Sequence, residues 1–277
     1  MKFLDGLDPD LRAGLLQEFR ALWTHTSTAL EGNTLTLGET AFVLNEGLTI
    51  AGKSLKDHKD VEGHARALDL GFSLLSKEDL QAQDIFDLHS LVITEREFDV
   101  YRPVGAWRND YSSTVYEHEG KQGILEYPHF SEVQGLMGRW IKEFNKQYNS
   151  DAGWEDAQKA YVELHVSFVA IHPFYDGNGR VARIVSNLPL LKAGYPPIII
   201  DTSIKYNYIK ALQHYTHTYG VPSKDTLLLH PGKVLEQFAT VVEKSVAASQ
   251  ALIRQARELQ RRRDENRQGC CDISGVK

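Results

Sequence analysis

The sequence predicts a mostly helical, all-α fold carrying one small β-hairpin, and three observations support that prediction. Apolar residues recur at spacings of three and four over most of the chain, Pro and Gly punctuate those runs, and residues 99–130 break the period altogether. With 277 residues, 42% of them hydrophobic and 25% charged, the composition is ordinary for a globular chain. The length suffices to bury a sizeable core in one large domain or two packed ones.

Asp8-Pro9 reads as the first helix start, with Asp as N-cap and Pro at the first helical position. Leu11, Leu15, Phe19, Leu22, Thr26 and Leu30 follow at helical spacing, and Gly32-Asn33 stops the run. The period returns in "VEGHARALDLGFSLL", "LQAQDIFDLHSLVI" and "FSEVQGLMGRWIKEFNKQY". Residues 99–130, rich in Gly, Pro and aromatics, predict a long loop with a hairpin near Glu119-Gly120. Loops of that length are uncommon in compact domains unless they do something. Ala157, Tyr161, Leu164, Phe168 and Ile171 then mark a buried helix, and Val181, Ile184, Val185, Leu188 and Leu191 another, which Pro189 should kink or shorten before Gly194. After His230-Pro231-Gly232 a last helix presents Val234, Leu235, Phe238, Val241 and Val242. Solvated arginines at 261–263 close it, and a frayed tail follows.

Several function classes drop out. With 31 Lys+Arg against 37 Asp+Glu, a net charge of −6, the chain has no electrostatic footprint for nucleic acid, so any phosphate site must be local. Asp5 and Asp8 interrupt the apolar run a signal peptide needs, and no segment has 18 apolar residues in succession, so the expectation is a cytoplasmic protein with no membrane partner. Cys270 and Cys271 are adjacent in the tail, where they can neither staple the fold nor supply a four-ligand zinc site. Ser274, not a cysteine, stands fourth from the last residue given, so no prenylation signal is expected.

Chemistry concentrates in "HPFYDGNGRVAR", residues 172–183. Pro173 disfavours helical geometry at His172, so the preceding helix should deliver that histidine at its end. Gly177 and Gly179 permit a tight turn whose backbone N–H groups converge, and the next helix opens directly from it, which together suit an anion. Arg180 and Arg183 sit in the first turns of that helix, where cations are unfavourable unless an anion is bound. The sum is a site for an extended phosphate ligand, with Asp176 placed to hold a divalent metal on it and His172 free to act as base. A lone helix-end histidine or an Asp-Gly-Asn-Gly turn alone would be structural. Their conjunction with paired arginines argues otherwise. Residues 177–182 also fit G-x-G-x-x-A, with Asp201 at the distance of a ribose-binding acid, but the run entering Gly177 has helical rather than strand spacing, against a dinucleotide fold.

"HPFYDGNGRVAR" matches H-P-F-x-[DE]-G-N-G-R-x-x-R at every fixed position, and on that motif the chain resembles the Fic family. "TSTALEGNTLTL" is similar to the family's inhibitory motif [ST]-x-x-x-E-[GN], with Ser27 and Glu31 at its fixed positions. "VGAWR" and "YPHFSEV" resemble the surroundings of its substrate-binding flap. "AGYPPIII" resembles the stretch after the motif helix in animal endoplasmic-reticulum Fic AMP-transferases, and the resemblance is to their catalytic part, not to their tetratricopeptide and membrane segments. The resemblance implies a mostly helical Fic fold and transfer of AMP from ATP to a Ser, Thr or Tyr hydroxyl of a target protein, with pyrophosphate leaving. His172 would take the hydroxyl proton. Asp176 would hold Mg²⁺ across the α- and β-phosphates, and Gly177, Asn178 and Gly179 would cradle them. Arg180 would meet the leaving phosphates and Arg183 the γ-phosphate, while Phe174 anchors the motif in the core. Gly123, Ile124 and Leu125 of the flap, and Tyr208 near the adenine, would complete the nucleotide site.

Glu31 falls in the last turn of the first helix, where the helix dipole disfavours a carboxylate. The resemblance supplies a partner: paired with Glu31, Arg183 could not also grip the γ-phosphate, and the enzyme would be autoinhibited. It also implies a division into an N-terminal helical region with the inhibitory motif (1–95), a catalytic core with the flap (96–230), and a C-terminal helix with a disordered tail (231–277). A homodimer is a further implied partner. Three other readings remain. Glu31 could orient a water that removes AMP, the donor could carry UMP, phosphocholine or a phosphate instead, or the motif could bind ATP without turnover. Departures from the relatives are a flap, "QGILEYPHF", without their double proline, Thr216 where Asn is frequent, and Pro189 inside the motif helix.

Overall fold

The computed structural model describes residues 1–94, 102–118 and 121–274. Helix α1 (Pro9–Leu30) buries Leu15, Phe19 and Trp23. Helix α2 (Leu37–Glu46), absent from the periodicity reading, starts at a reciprocal box: the Glu39 N–H donates to Thr36 Oγ1 at 3.2 Å and the Thr36 N–H to the Glu39 carboxylate at 2.8 Å. Helices α3 (Leu55–Leu74) and α4 (Ala82–Val92) pack side by side. Strands β1 (Ser113–His118) and β2 (Lys121–Glu126) pair antiparallel, Val115 opposite Ile124 and Tyr116 opposite Gly123. The expected turn residues, Glu119 and Gly120, lie outside the described residues.

Helices α5 (Phe130–Tyr148) and α6 (Trp154–Ile171) form the centre. Trp140 of α5 donates its indole N–H to the Leu164 carbonyl at 3.1 Å and meets the Phe168 ring edge-on at 5.2 Å. Burying an aromatic side chain of that size stabilises by roughly 2–3 kcal/mol. The motif helix is indeed short: α7 (Asn178–Val185) ends before Pro189, which opens α8 (Leu188–Lys192). Asn187 braces the break, donating to the Arg183 and Ile198 carbonyls at 2.8 and 3.0 Å and accepting the Ile198 N–H at 2.7 Å. The stretch 195–200 is irregular and buried from Pro197 on, and α6 rather than a strand enters the glycine turn, so the dinucleotide-binding alternative is excluded.

Helix α9 (Lys205–Tyr219), also unread from the sequence, packs on α10 (Lys233–Ser274). Two local expectations need correction. Asp8 makes no side-chain cap, because Arg267 holds its carboxylate at 2.8 Å. The arginines at 261–263 do not close the last helix, which continues to Ser274, and Arg263 reaches back across the molecule to Asp10 at 2.6 Å. Among the described residues, no helix is long and apolar enough to cross a membrane.

Candidate active site

Pro173 forces the chain out of helix at His172, which closes α6 in the left-handed region (φ 52°, ψ 61°). Phe174 then drops into the core, its ring stacked on that of His89 at 3.8 Å. Asn178 ties the turn shut. Its side chain accepts the Phe174 N–H at 2.9 Å and donates to the Phe174 carbonyl at 2.8 Å. Asn178 can therefore serve a cradle only through its backbone. Gly177 takes φ 78°, and the first intrahelical bond of α7 comes from Val181 to the Gly177 carbonyl at 3.0 Å. The N–H groups of Asn178, Gly179 and Arg180 thus lie in the first turn, where a helix offers no acceptor.

The two arginines part company. Arg180 turns toward α4, donating to the Val92 carbonyl at 2.9 Å and to Asp176 at 3.2 Å, with Asp60 at 3.8 Å; its buried Nε has no hydrogen-bond partner among the described residues. Arg183, its side chain only 3% exposed, turns toward α1. It donates to Ser27 Oγ at 2.9 Å, the Ser27 carbonyl at 3.0 Å and Glu31 Oε1 at 2.6 Å. Gly179 leaves room for this pair: a Cβ there would lie 2.9 Å from Glu31 Oε1 and 3.0 Å from an Arg183 nitrogen. The Glu31 carboxylate therefore rests at the mouth of the glycine turn. An anion already stands where the local geometry favours one.

His172 is held neutral. Burial, aided by the nearby Arg108 cation, pushes its pKa down to about 3. The Val169 backbone opposes that shift, yet among the described residues the buried Nδ1 makes no well-formed hydrogen bond. The Asp176 side chain is 75% exposed, and Oδ1 accepts the Gly177 N–H at 2.6 Å. Among the described residues no cluster of three or more His, Cys, Asp or Glu could hold a metal by itself. One exposed carboxylate beside a phosphate cradle suits Mg²⁺, which binds through few protein carboxylates and shares its coordination with substrate phosphates.

The flap places Gly123 under Tyr116, where a Cβ would lie 2.7 Å from that ring, and leaves Ile124 70% exposed. Tyr208 is in a different situation from the one the resemblance implied. Its hydroxyl accepts from Arg183 at 3.3 Å and lies 3.0 Å from His165 Nε2, and only 4% of the residue is exposed. It braces the guanidinium from behind and offers no open face to a base.

Three residues escaped the sequence reading. Arg108, 2% exposed, donates to the His172 carbonyl at 2.8 Å, to the Asp110 carbonyl at 2.9 Å and to the Pro128 carbonyl, while its backbone N–H donates to the Pro173 carbonyl at 2.9 Å. His89 has Nε2 3.1 Å from the Asp176 carbonyl and accepts the Gly105 N–H on Nδ1 at 2.9 Å. Burial lowers its pKa to about 4, so it is the neutral Nε2–H tautomer that fits both contacts. Tyr127 stacks on His172 at 3.7 Å. Only "VGAWR" and "YPHFSEV", already noted around the flap, contained a signal for two of the three.

Comparison with known proteins fits this geometry. Residues 79–190 match the family model described as Fic/DOC family. Protein adenylyltransferase fic-1 of Caenorhabditis briggsae is 32% identical over 201 residues, 72% of this chain and 37% of that protein. Protein adenylyltransferase Fic of Drosophila melanogaster is 30% identical over 68% of this chain and 35% of its own length. The chain thus spans little more than a third of the curated relatives it matches. A crystal structure of a Fic domain containing signaling protein from Bacteroides thetaiotaomicron superposes with TM-score 0.78 at 25% identity, covering 93% of this chain and 94% of that one. A structure of Caenorhabditis elegans Fic-1 superposes with TM-score 0.70 at 27% identity, covering 93% and 69%.

Proposed function

This chain carries a Fic domain, and from that premise we propose that it is a protein adenylyltransferase, moving AMP from ATP to a Ser, Thr or Tyr hydroxyl of a target protein and held at rest by Glu31. The observation that carries the reading is the 2.6 Å Arg183–Glu31 pair lying across Gly179 at the mouth of the turn. ATP brings phosphate charge to the same place, so carboxylate and γ-phosphate compete for one guanidinium.

In the productive complex the N–H groups of the turn and the start of α7 would meet phosphate oxygens, and Arg180, held beside the turn by its 3.2 Å contact with Asp176, would meet the departing group. Asp176 would hold Mg²⁺, which neutralises charge on the phosphates when bound. The neutral imidazole of His172 takes the proton of the target hydroxyl as its oxygen bonds to the α-phosphorus. The bond from that phosphorus to the bridging oxygen breaks, and pyrophosphate leaves with the electron pair. The flap residues Gly123, Ile124 and Leu125 border this path. In the same proposal residues 1–95 form the inhibitory arm, 96–230 the catalytic core and 231–277 a C-terminal extension. A cytoplasmic, homodimeric state with ATP and a hydroxyl-bearing protein as partners completes it.

The test is labelled-ATP transfer with Mg²⁺, read by intact mass on the chain and by incorporation into lysate proteins, for wild type, Glu31→Gly and Glu31→Gly/His172→Ala. Glu31→Gly is expected to exceed wild type at least tenfold, the order of a lost charge-assisted pair. The double variant should show none. Equal or lower transfer by Glu31→Gly removes autoinhibition, and undiminished transfer without His172 removes the mechanism.

A further inference from the structure

A base must have its ring plane fixed as well as its backbone. The backbone part is clear: among the described residues His172 is the one non-glycine with positive φ, and Arg108 holds its carbonyl at 2.8 Å and that of Pro173 at 2.9 Å. The ring is different. Catalytic histidines are commonly oriented by an acceptor on the second nitrogen; at His172 the Val169 backbone lies close enough to favour the protonated ring, but among the described residues Nδ1 makes no well-formed hydrogen bond, so this hold on the ring is weak. What lies on the ring is Tyr127, face to face, with centroids 3.7 Å apart and planes within 8°.

Tyr127 reaches this position from the exit of β2. Its N–H donates to the Ser112 carbonyl at 3.0 Å, which continues the hairpin's pairing, and the next carbonyl, that of Pro128, accepts from Arg108. One guanidinium thus spans the backbones of His172 and Pro128, and the stacked rings close the circuit between flap and base.

We propose that Tyr127 is a positioning residue for the reaction, its ring clamping the face of the His172 imidazole so that flap and base form one rigid unit. The proposal rests on the AMP-transfer reading. A face-on clamp covers the π surface and leaves the ring edge, where the nitrogen lone pair points, open to a hydroxyl. The phenol keeps its own proton and takes no part in the transfer, since burial pushes its pKa up to about 12. An aromatic ring is therefore the requirement, and phenylalanine meets it.

The experiment uses the Glu31→Gly chain with Tyr127→Phe and Tyr127→Leu added, and ATP with Mg²⁺ as the probe. Tyr127→Phe is expected to keep kcat within about twofold, and Tyr127→Leu to lower it roughly tenfold to a hundredfold with the KM for ATP within about twofold. A second readout is independent of activity. The His172 ring-proton NMR signals, identified by their loss in His172→Ala, should be ring-current shifted with Tyr or Phe at 127 and move toward ordinary imidazole positions with Leu. Unmoved signals in Tyr127→Leu, or a KM for ATP that rises as kcat falls, would overturn the proposal. If no variant transfers AMP, the catalytic reading fails by itself, and the ring signals still decide for or against the clamp.

Discussion

Two regions grip the signature turn from opposite sides. On the flap side, His89, Arg108 and the Asn178–Phe174 pair hold backbone groups: the carbonyls of Asp176, His172, Pro128 and Phe174 all find donors there. Toward α1, the contacts made by Ser27 and Glu31 hold a side chain, the Arg183 guanidinium. A ligand binding the turn need not break the first set, whereas it must replace the second. Under the proposed function, one is scaffold and the other is gate. Damage to the scaffold should cost stability and activity together, while damage to the gate should raise activity at small cost.

Arg108→Ala should have the largest effect. It leaves the His172, Asp110 and Pro128 carbonyls without their guanidinium donor in a residue only 2% exposed, and bonds from charged donors contribute roughly 1.5–3 kcal/mol each. A loss of about 3–5 kcal/mol is expected by denaturant unfolding, along with AMP transfer. A stable Arg108→Ala protein with reduced transfer would move Arg108 from scaffold to catalysis.

Acid should act next, and on both sides, because His64 and His165, buried near Arg183, are pushed down by burial as His89 and His172 are. His89 and His172 both start from an ordinary value of 6.5 and are lowered by burial to about 4 and about 3. The unfolded chain therefore binds protons below about pH 6.5 that the folded chain refuses, so their contribution is complete above that pH and is lost as pH falls toward 4. Each such group can cost up to about 1.4 kcal/mol per pH unit in that window. The melting temperature should be flat from pH 7 to 8.5 and fall from pH 7 to 5. His89→Phe, which keeps the stack on Phe174, should flatten part of that fall. A melting temperature that rises on acidification reverses the sign and refutes the buried-neutral assignment.

How much of this was legible depended on distance along the chain. The helical period found α1, α3, α4, α5, α6, α7 and α10, and the signature announced its own turn because every part of it lies within twelve residues. The Glu31–Arg183 pair spans 152 residues and became visible only through resemblance to a family. Arg108 and His89 act on backbone carbonyls 64 and 87 residues away, and a bond to a carbonyl leaves no mark on the partner's residue type. Helix α2 had its Thr36–Glu39 signature and was still missed, since its short apolar run has few turns in which a period can show. Asp8 illustrates the opposite failure. Its local role as a cap was plausible, and a distant arginine won the carboxylate.

Ser27→Ala tests the gate by the smallest cut. It removes the 2.9 Å bond to Arg183 Nε and leaves both the Ser27 carbonyl and Glu31 in place, so the guanidinium keeps its charge partner but loses one of its fixed donors' acceptors. A single such bond is worth about 1 kcal/mol net, which converts to about a fivefold shift toward the state in which Arg183 is free for phosphate. AMP transfer should therefore rise about fivefold, well below the rise in Glu31→Gly, with unfolding free energy lower by about 1 kcal/mol. Adding Ser27→Ala to Glu31→Gly should give little further gain, because both changes release the same side chain and couple through it. Fully multiplicative gains would mean that Ser27 restrains the enzyme by a route other than Arg183, and the gate would have two hinges instead of one.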